Sequence, residues 1–204
     1  MVNKFLSFIL ASLLLITIYL SLFELLLYTF HSPFQSHVEE PFLHHATWVY
    51  LLQQKYISFI ELDIFTIYEK RHLLDVKRVF EETHQVWILF LFLTGSLLLL
   101  FIAKLKTQLS TLLQYLYILG FIFNSILTLF IFNFLNSFKF FHTLLFSANT
   151  WSFAPTSLLI KWFPLRYFQE FTLLFLFLSF LLFLLLFFIK TYATILYEYF
   201  NNRR

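Results

Sequence analysis

The chain has no cysteine, and only two glycines and four prolines occur among its 204 residues. Without cysteine there can be no disulfide, no thiolate nucleophile and no C-x-x-C metal site, and the redox compartment stays open. The sequence also lacks the G-x-S-x-G nucleophile elbow, the P-loop and the dinucleotide-binding fingerprint. None of these standard motifs can therefore explain a function.

Charge is scarce as well. Only 12 % of the residues are Asp, Glu, Lys or Arg, whereas phenylalanine alone supplies 32 residues, which is far too apolar for a soluble domain. Four apolar runs lie at 5–29, 86–103, 111–135 and 171–189, each near the roughly 20 residues that cross about 30 Å of hydrocarbon as a helix. The first run is too long for a signal peptide and no A-x-A-like site follows it, so we expect it to be retained. We predict an all-α membrane protein with four transmembrane helices and a single integral membrane domain, 1–204.

Basic residues mark one side of the membrane. The short stretches 1–4, 104–110 and 190–204 carry Lys4, Lys104, Lys106, Lys190, Arg203 and Arg204 against the single acid Glu198. The longer segments 30–85 and 136–170 carry eight Lys/Arg against nine acids. By the positive-inside rule, the termini and the middle loop are predicted to be cytoplasmic, and the two long segments to face outward. No compact basic face remains, so we expect no nucleic-acid partner.

Residues 67–82 have the periodicity of an amphipathic helix. His72 lies near the middle of its apolar face, and Glu69 and Asp75 lie three residues to either side, where side chains of neighbouring turns can touch. His72 is thus a candidate general base whose ring a carboxylate orients. A structural histidine with satisfied hydrogen bonds is the alternative. Residues 56–67 fit either a short strand or a surface-lying helix.

The segment 136–170 is rich in aromatic residues and is interrupted by Pro155 and Pro164, which favours a re-entrant or surface-lying hairpin at the membrane interface. His142 lies within it. Burying a polar ring near hydrocarbon without a partner costs a few kcal/mol, so we expect His142 either to have a partner or to meet interfacial water. Glu24, the only acid inside a span, is expected to face a polar partner or to be a neutral, hydrogen-bonded acid.

A metal site is a further possibility, because six of the seven histidines fall in 30–85. They are His31, His37, His44, His45, His72 and His84. The H-E-x-x-H spacing is absent and the adjacent His44 and His45 diverge on a helix or a strand, so the metal signal is weak. A metal-dependent membrane hydrolase using His72 and Glu69 remains an alternative. A non-enzymatic membrane protein that binds lipid or a partner protein is another.

Two stretches carry a family resemblance: R-H-L-L-D-V-K-R-V-F at 71–80 and F-H-T-L-L-F-S-A-N-T-W-S-F-A-P-T-S-L-L-I-K-W-F-P at 141–164. They resemble the four-span bacterial lipoprotein intramolecular transacylases, although Ser147 and Ala148 stand where a more polar stretch is expected. The resemblance implies four membrane helices with an extracytoplasmic cap formed by 30–85 and 136–170, in the bacterial cytoplasmic membrane with the active site on the outer face. It implies His72 and His142 as catalytic residues, with no metal and no cofactor. Supporting or substrate-binding positions are expected at Glu69, Arg71, Asp75, Lys77, Asn149 and Trp151.

The implied reaction moves the sn-2 acyl chain of a diacylglyceryl-cysteine lipoprotein to the α-amine of the same cysteine, with membrane lipid as the other partner. An amine that attacks an ester needs a base for its proton and a donor for the oxyanion, and histidine can supply both near neutral pH. Because both groups belong to one substrate, proximity alone can lower the barrier by ~7–11 kcal/mol. Which histidine is the base stays open.

Overall fold

A computed structural model describes residues 2–34, 40–52, 63–100, 102–147 and 150–201. The elements are α1 (Val2–Thr29), α2 (Pro41–Leu52), α3 (Ile67–Leu100), α4 (Ile102–Phe132), α5 (Phe134–Leu145), α6 (Leu158–Trp162) and α7 (Leu165–Asn201). Within these ranges the structure contains no strand, and the all-α prediction is confirmed. The choice between strand and surface helix for 56–67 falls mostly outside the described residues.

Among the described residues, four helical stretches are long and apolar enough to cross a membrane, as predicted: Lys4–Thr29, Ile67–Leu100, Gln108–Phe132 and Leu158–Tyr192. Several of them extend beyond the apolar runs, and in two places helices join or divide where the runs did not. The amphipathic stretch 67–82 and the second run form one helix, α3, because no proline interrupts the chain between them. The third run is divided at Asn133, whose backbone is not helical (φ −128°, ψ 54°) and where α5 begins.

The segment 136–170 also contains more helix than a simple hairpin. The twelve-residue α5 runs to Leu145, and the short α6 occupies Leu158–Trp162. Pro155 precedes α6 and Pro164 follows it, as expected for residues that interrupt helices. Ser157 caps α6, because its side chain accepts a hydrogen bond from the backbone N–H of Ile160.

The chain divides into two compact units, and each is described by itself. Unit 1 comprises Met1–Phe23, Val86–Leu129 and Phe175–Arg204. Its core consists of Leu10, Ala11, Tyr19, Leu112, Leu116 and Phe183. Polar groups inside it pair with one another: Asn124 Oδ1 accepts from Tyr19 and from Ser179, both at 2.8 Å. Such pairing lowers the cost of placing polar atoms among apolar helices, while Nδ2 of Asn124 is buried without a hydrogen-bond partner among the described residues.

Unit 2 comprises Glu24–Gln85 and Phe130–Leu174, and it contains both histidines of the quoted motifs. Aromatic side chains supply its interior. His31 stacks on Trp48 at 4.6 Å between ring centroids, and the Trp48 indole N–H donates to the carbonyl of His31 at 3.0 Å. The hydroxyl of Tyr167 donates to the carbonyl of Phe30 at 3.0 Å. The single-domain assignment for 1–204 stays a prediction.

Candidate active site

His72 and His142 are neighbours in unit 2 although they are far apart in sequence. His72 lies in the second turn of α3 and His142 in the last turn of α5. Their ring centroids are 6.4 Å apart and the rings are inclined by 29°. The hydrogen-bond reach of a catalytic group is about 2.6–3.2 Å, so one reacting centre can lie within reach of both rings.

The hydrogen bond of His142 determines which nitrogen is basic. Its Nδ1 lies 2.9 Å from the backbone carbonyl of Phe138, one turn earlier in α5. A carbonyl only accepts, so in the neutral ring Nδ1 carries the proton and Nε2 keeps its lone pair. Burial lowers the pKa of His142 from its ordinary value, although the same hydrogen bond partly opposes the shift. The ring is therefore neutral at pH 7 and able to accept a proton at Nε2.

His72 is more deeply buried, with 7 % of its surface exposed. The rings of Phe146 and Phe153 lie 4.8 and 5.5 Å from its own. Its Nδ1 is buried and has no hydrogen-bond partner among the described residues. A buried polar atom without a partner costs about 1–3 kcal/mol, so this nitrogen gains most from a partner that the substrate supplies.

Asp75 makes no hydrogen bond to the His72 ring among the described residues. Its carboxylate instead lies 3.7 Å from the guanidinium of Arg78. Asp75 is three residues from both His72 and Arg78, so both can reach it. The guanidinium carries a permanent charge and is the stronger partner.

Glu69 holds the start of α3 against the start of α6. Its Oε2 accepts from the backbone N–H and the hydroxyl of Thr66, both at 2.8 Å, and Thr66 Oγ1 accepts from the Glu69 N–H. This is a capping box. Its Oε1 accepts from the hydroxyl of Ser157 at 2.6 Å and from the N–H of Leu159 at 3.3 Å. With four donors around one carboxylate, Glu69 joins the first turn of α3 to the first turn of α6.

The remaining predicted residues have different surroundings. Trp151 lies against His142, with 5.1 Å between ring centroids. Arg71 is exposed and lines a cleft next to Phe153. Lys77 lies over the ring of Tyr50, 4.6 Å from its centroid, and 4.0 Å from the carboxylate of Glu81. Asn149 lies outside the described residues.

Sequence reasoning missed several residues that surround the pair. Phe138 and Phe146 lie one turn before and one turn after His142, with ring centroids 4.0 and 5.5 Å from it. The pattern F-x-x-x-H-x-x-x-F at 138–146 was the available signal. Phe138 and His142 share a face of α5 because they are four residues apart, and Phe146 is the extended residue that ends the helix. The T-x-x-E sequence at 66–69 likewise signalled the capping box. Nothing in the sequence pointed from Glu69 to Ser157.

Of the other described histidines of 30–85, His31, His44 and His84 have aromatic or carboxylate neighbours, and His45 is exposed. His44 is buried with its ring 5.6 Å from Trp162, and burial lowers its pKa to about 4. His84 Nδ1 lies 3.2 Å from Oε2 of Glu24, which gives the acid in the first span the polar partner expected for it. His37 lies outside the described residues. Among the residues that the structure does describe, no three His, Asp or Glu side chains are grouped so that they could hold a metal ion.

Four membrane-length helices and a histidine pair enclosed by aromatic rings define the class: an integral membrane protein with a candidate general-base site. The structure is similar to that of the membrane-integral lipoprotein intramolecular transacylase Lit from Bacillus cereus, with a TM-score of 0.73 and 20 % sequence identity. The match covers 96 % of this chain and 98 % of that one, and at this identity it shows the fold alone. No curated protein matches the chain significantly.

Family membership rests on the sequence. The family model described as lipoprotein intramolecular transacylase Lit matches residues 2–168. The chain therefore belongs to the lipoprotein intramolecular transacylase Lit family, and it is a membrane acyltransferase that acts on lipoproteins. The metal-dependent hydrolase and the non-enzymatic binding protein are not favoured by this result.

Proposed function

We propose that His142 and His72 catalyse the transfer of the sn-2 acyl chain of a diacylglyceryl-cysteine lipoprotein to the α-amine of that cysteine. The observation that carries the proposal is the approach of the two rings to 6.4 Å inside an aromatic enclosure. The product is an N-acylated lyso lipoprotein. Donor and acceptor belong to one molecule, so the enzyme mainly has to hold them in register.

In the proposed step, the neutral amine attacks the carbonyl carbon of the sn-2 ester. Nε2 of His142 accepts a proton from the amine, because Nδ1 is held by the carbonyl of Phe138. The C–N bond of the amide forms, the ester C–O bond breaks, and His142 returns the proton to the departing glyceryl oxygen. The sn-2 hydroxyl is left free and no water is consumed.

His72 is proposed as the donor to the oxyanion of the tetrahedral intermediate. A neutral imidazole has one N–H, and in His72 no carbonyl or carboxylate among the described residues fixes which nitrogen carries it. The orphaned Nδ1 supports this role, because a substrate oxygen would supply the missing partner only when the substrate is bound. Donors aimed at the developing charge in a dry site are among the largest contributions to catalysis.

The aromatic rings around the pair support transfer rather than hydrolysis. Phe146 contacts both histidines, Phe138 and Trp151 contact His142, and Phe153 contacts His72. Water is the nucleophile that competes with the amine, and apolar rings around the pair offer it no hydrogen bonds. The same apolar surface suits an acyl chain.

The experiment expresses the chain in a bacterium that lacks its own N-acylation route and analyses the N-terminal peptide of a lipoprotein by mass spectrometry. We expect one amide-linked and one ester-linked chain, with the total acyl mass unchanged from the diacyl precursor. His72→Ala and His142→Ala should abolish the product while the protein stays folded. The control is His45→Ala, an exposed histidine of α2.

Other products would contradict the proposal. A triacylated peptide would mean that an external phospholipid donates the chain, and a peptide with a free amine and one lost ester chain would mean hydrolysis. Near-normal transfer by folded His142→Ala would exclude it as the base. Near-normal transfer by folded His72→Ala would exclude His72 as the hydrogen-bond donor to the oxyanion.

We further propose that the protein lies in the cytoplasmic membrane with its termini inside and the segments 30–85 and 136–170 on the outer face. The excess of Lys and Arg in 1–4, 104–110 and 190–204 supports this orientation. The chain has no cysteine, so single cysteines can be labelled without background. In intact cells an impermeant thiol reagent should label a cysteine at Lys139 and spare one at Asn202. Labelling of the cysteine at Asn202 and not of the one at Lys139 would show that the topology is the opposite of the proposed one.

A further inference from the structure

A cleft of about 710 Å³ lies in unit 2 next to the histidine pair, and the proposed acyl transfer does not use it. Its lining comes from the start of α3 and from the chain that leads into α6. Phe153 is shared by the two sites, since it lines the cleft and its ring lies 5.5 Å from that of His72. A molecule that reacts at His72 can therefore extend past Phe153 into the cleft.

The polar groups of the cleft fit a peptide backbone. The hydroxyls of Ser152 and Thr156 are exposed and make no hydrogen bond within the described part of the chain. A hydroxyl both donates and accepts, as a ligand with alternating N–H and C=O groups requires. Arg71 adds a guanidinium, which only donates and suits carbonyl oxygens. Tyr68, 75 % exposed, adds an aromatic surface at the same cleft.

Glu69 also lines the cleft, but it does not present a free anion there. Both of its oxygens already accept hydrogen bonds from Thr66, Ser157 and Leu159. Arg71 is therefore the ionic group of the lining that is available to a ligand. The cleft differs from the surroundings of the histidine pair, which are aromatic.

We propose that this cleft binds the peptide chain that follows the acylated cysteine, while the aromatic enclosure holds the acyl chains. The proposal rests on the transfer reaction above and assigns the polar half of the same substrate. An extended chain advances about 3.3–3.6 Å per residue. Phe153 lines the cleft and its ring centroid lies 5.5 Å from that of His72, so the cleft begins roughly one to two residues beyond the cysteine.

The test measures KM for synthetic diacylglyceryl-cysteine peptides in detergent micelles, with one, three, five and eight residues after the cysteine. For the wild type we expect KM to fall roughly tenfold between one and five residues, as one well-placed hydrogen bond to a charged group would give, and then to level off. Arg71→Gln and Thr156→Val should each reduce the ratio of the short-peptide KM to the long-peptide KM. Lys139→Gln, which removes an exposed cation of α5, should leave that ratio unchanged.

A KM that does not depend on peptide length would overturn the proposal. The proposal would also fail if Arg71→Gln and Thr156→Val raised KM by the same factor for short and for long peptides. A KM that responds to anionic lipid in the micelles through Arg71, and not to the peptide, would assign the cleft to a lipid headgroup instead. If the wild type converts none of the substrates, the proposed transfer reaction itself fails. Failure of the peptide-binding proposal can therefore be distinguished from failure of the proposed transfer reaction.

Discussion

Glu69→Gln is expected to destabilise unit 2 by about 2–3 kcal/mol, and the hydrogen bonds of the carboxylate explain the size. Its two oxygens accept four hydrogen bonds, two of them from backbone N–H groups, those of Thr66 and Leu159. Glutamine presents one oxygen and one NH₂ group in the same space. On whichever side the glutamine NH₂ group lies, the hydroxyl of Thr66 or Ser157 can rotate and accept from it. The backbone N–H on that side, of Thr66 or Leu159, then has no acceptor. An unsatisfied buried group costs about 1–3 kcal/mol, and loss of the charge weakens the remaining bonds.

The assay is reversible unfolding in mixed micelles, followed by circular dichroism, for wild type, Glu69→Gln, Ser157→Ala and the double variant. Ser157→Ala alone should cost about 1–2 kcal/mol, because it removes both the donor to Glu69 and the cap of α6. Since the two side chains are 2.6 Å apart, the coupling energy in the double-mutant cycle should be about 1–2 kcal/mol. A coupling near zero would refute the view that Glu69 ties α3 to α6. So would a Glu69→Gln variant as stable as the wild type.

Two further predictions concern the pH dependence and the helix packing. Below about pH 8, kcat/KM should fall about tenfold per pH unit because the substrate amine becomes protonated. The slope of this fall should become steeper only below the ordinary histidine pKa of about 6.5, because burial lowers the pKa of His142. A steeper slope that already begins at or above about pH 6.5 would contradict this prediction. Gly120→Ala should destabilise unit 1 by about 1–3 kcal/mol in thermal unfolding, because its Cβ would run into the fully buried ring of Phe183. Gly95→Ala is the matched control, since its Cβ meets nothing within 4 Å, and equal effects of the two changes would show that the contact is absent.

Composition was enough to predict the helical class and the four spans. In hydrocarbon every backbone N–H and C=O must find a hydrogen-bond partner within the protein, which leaves few structures other than a helix. It could not predict where helices join or divide. α3 contains a charged stretch followed by an apolar one. From composition alone, these two stretches are assigned to separate elements. Asn133 divides the third run although nothing in its apolar neighbours announces a break.

For the site, helical periodicity led to His72 with Asp75 beside it, and the motif resemblance paired His72 with His142. The rings of His72 and His142 are neighbours in the structure, while Asp75 lies beside Arg78. A spacing of three residues says which side chains can touch, and competition among partners decides which do. The contact between Ser157 and Glu69 spans 88 positions of the chain and depends on the tertiary fold. Catalytic roles for these residues remain predictions.

The pairing of Glu24 with His84 has a consequence for biosynthesis. The acid precedes its partner by 60 positions, so α1 emerges from the ribosome before α3 can supply the imidazole. The hydroxyl of Thr17 differs, because it donates to the carbonyl of Leu13 within α1 at 2.9 Å as well as pairing with Thr94 of α3. A charged carboxylate near the centre of the bilayer costs at least about 2.5 kcal/mol. The first helix is therefore released into lipid at least cost when it leaves the insertion machinery together with α3, as a hairpin.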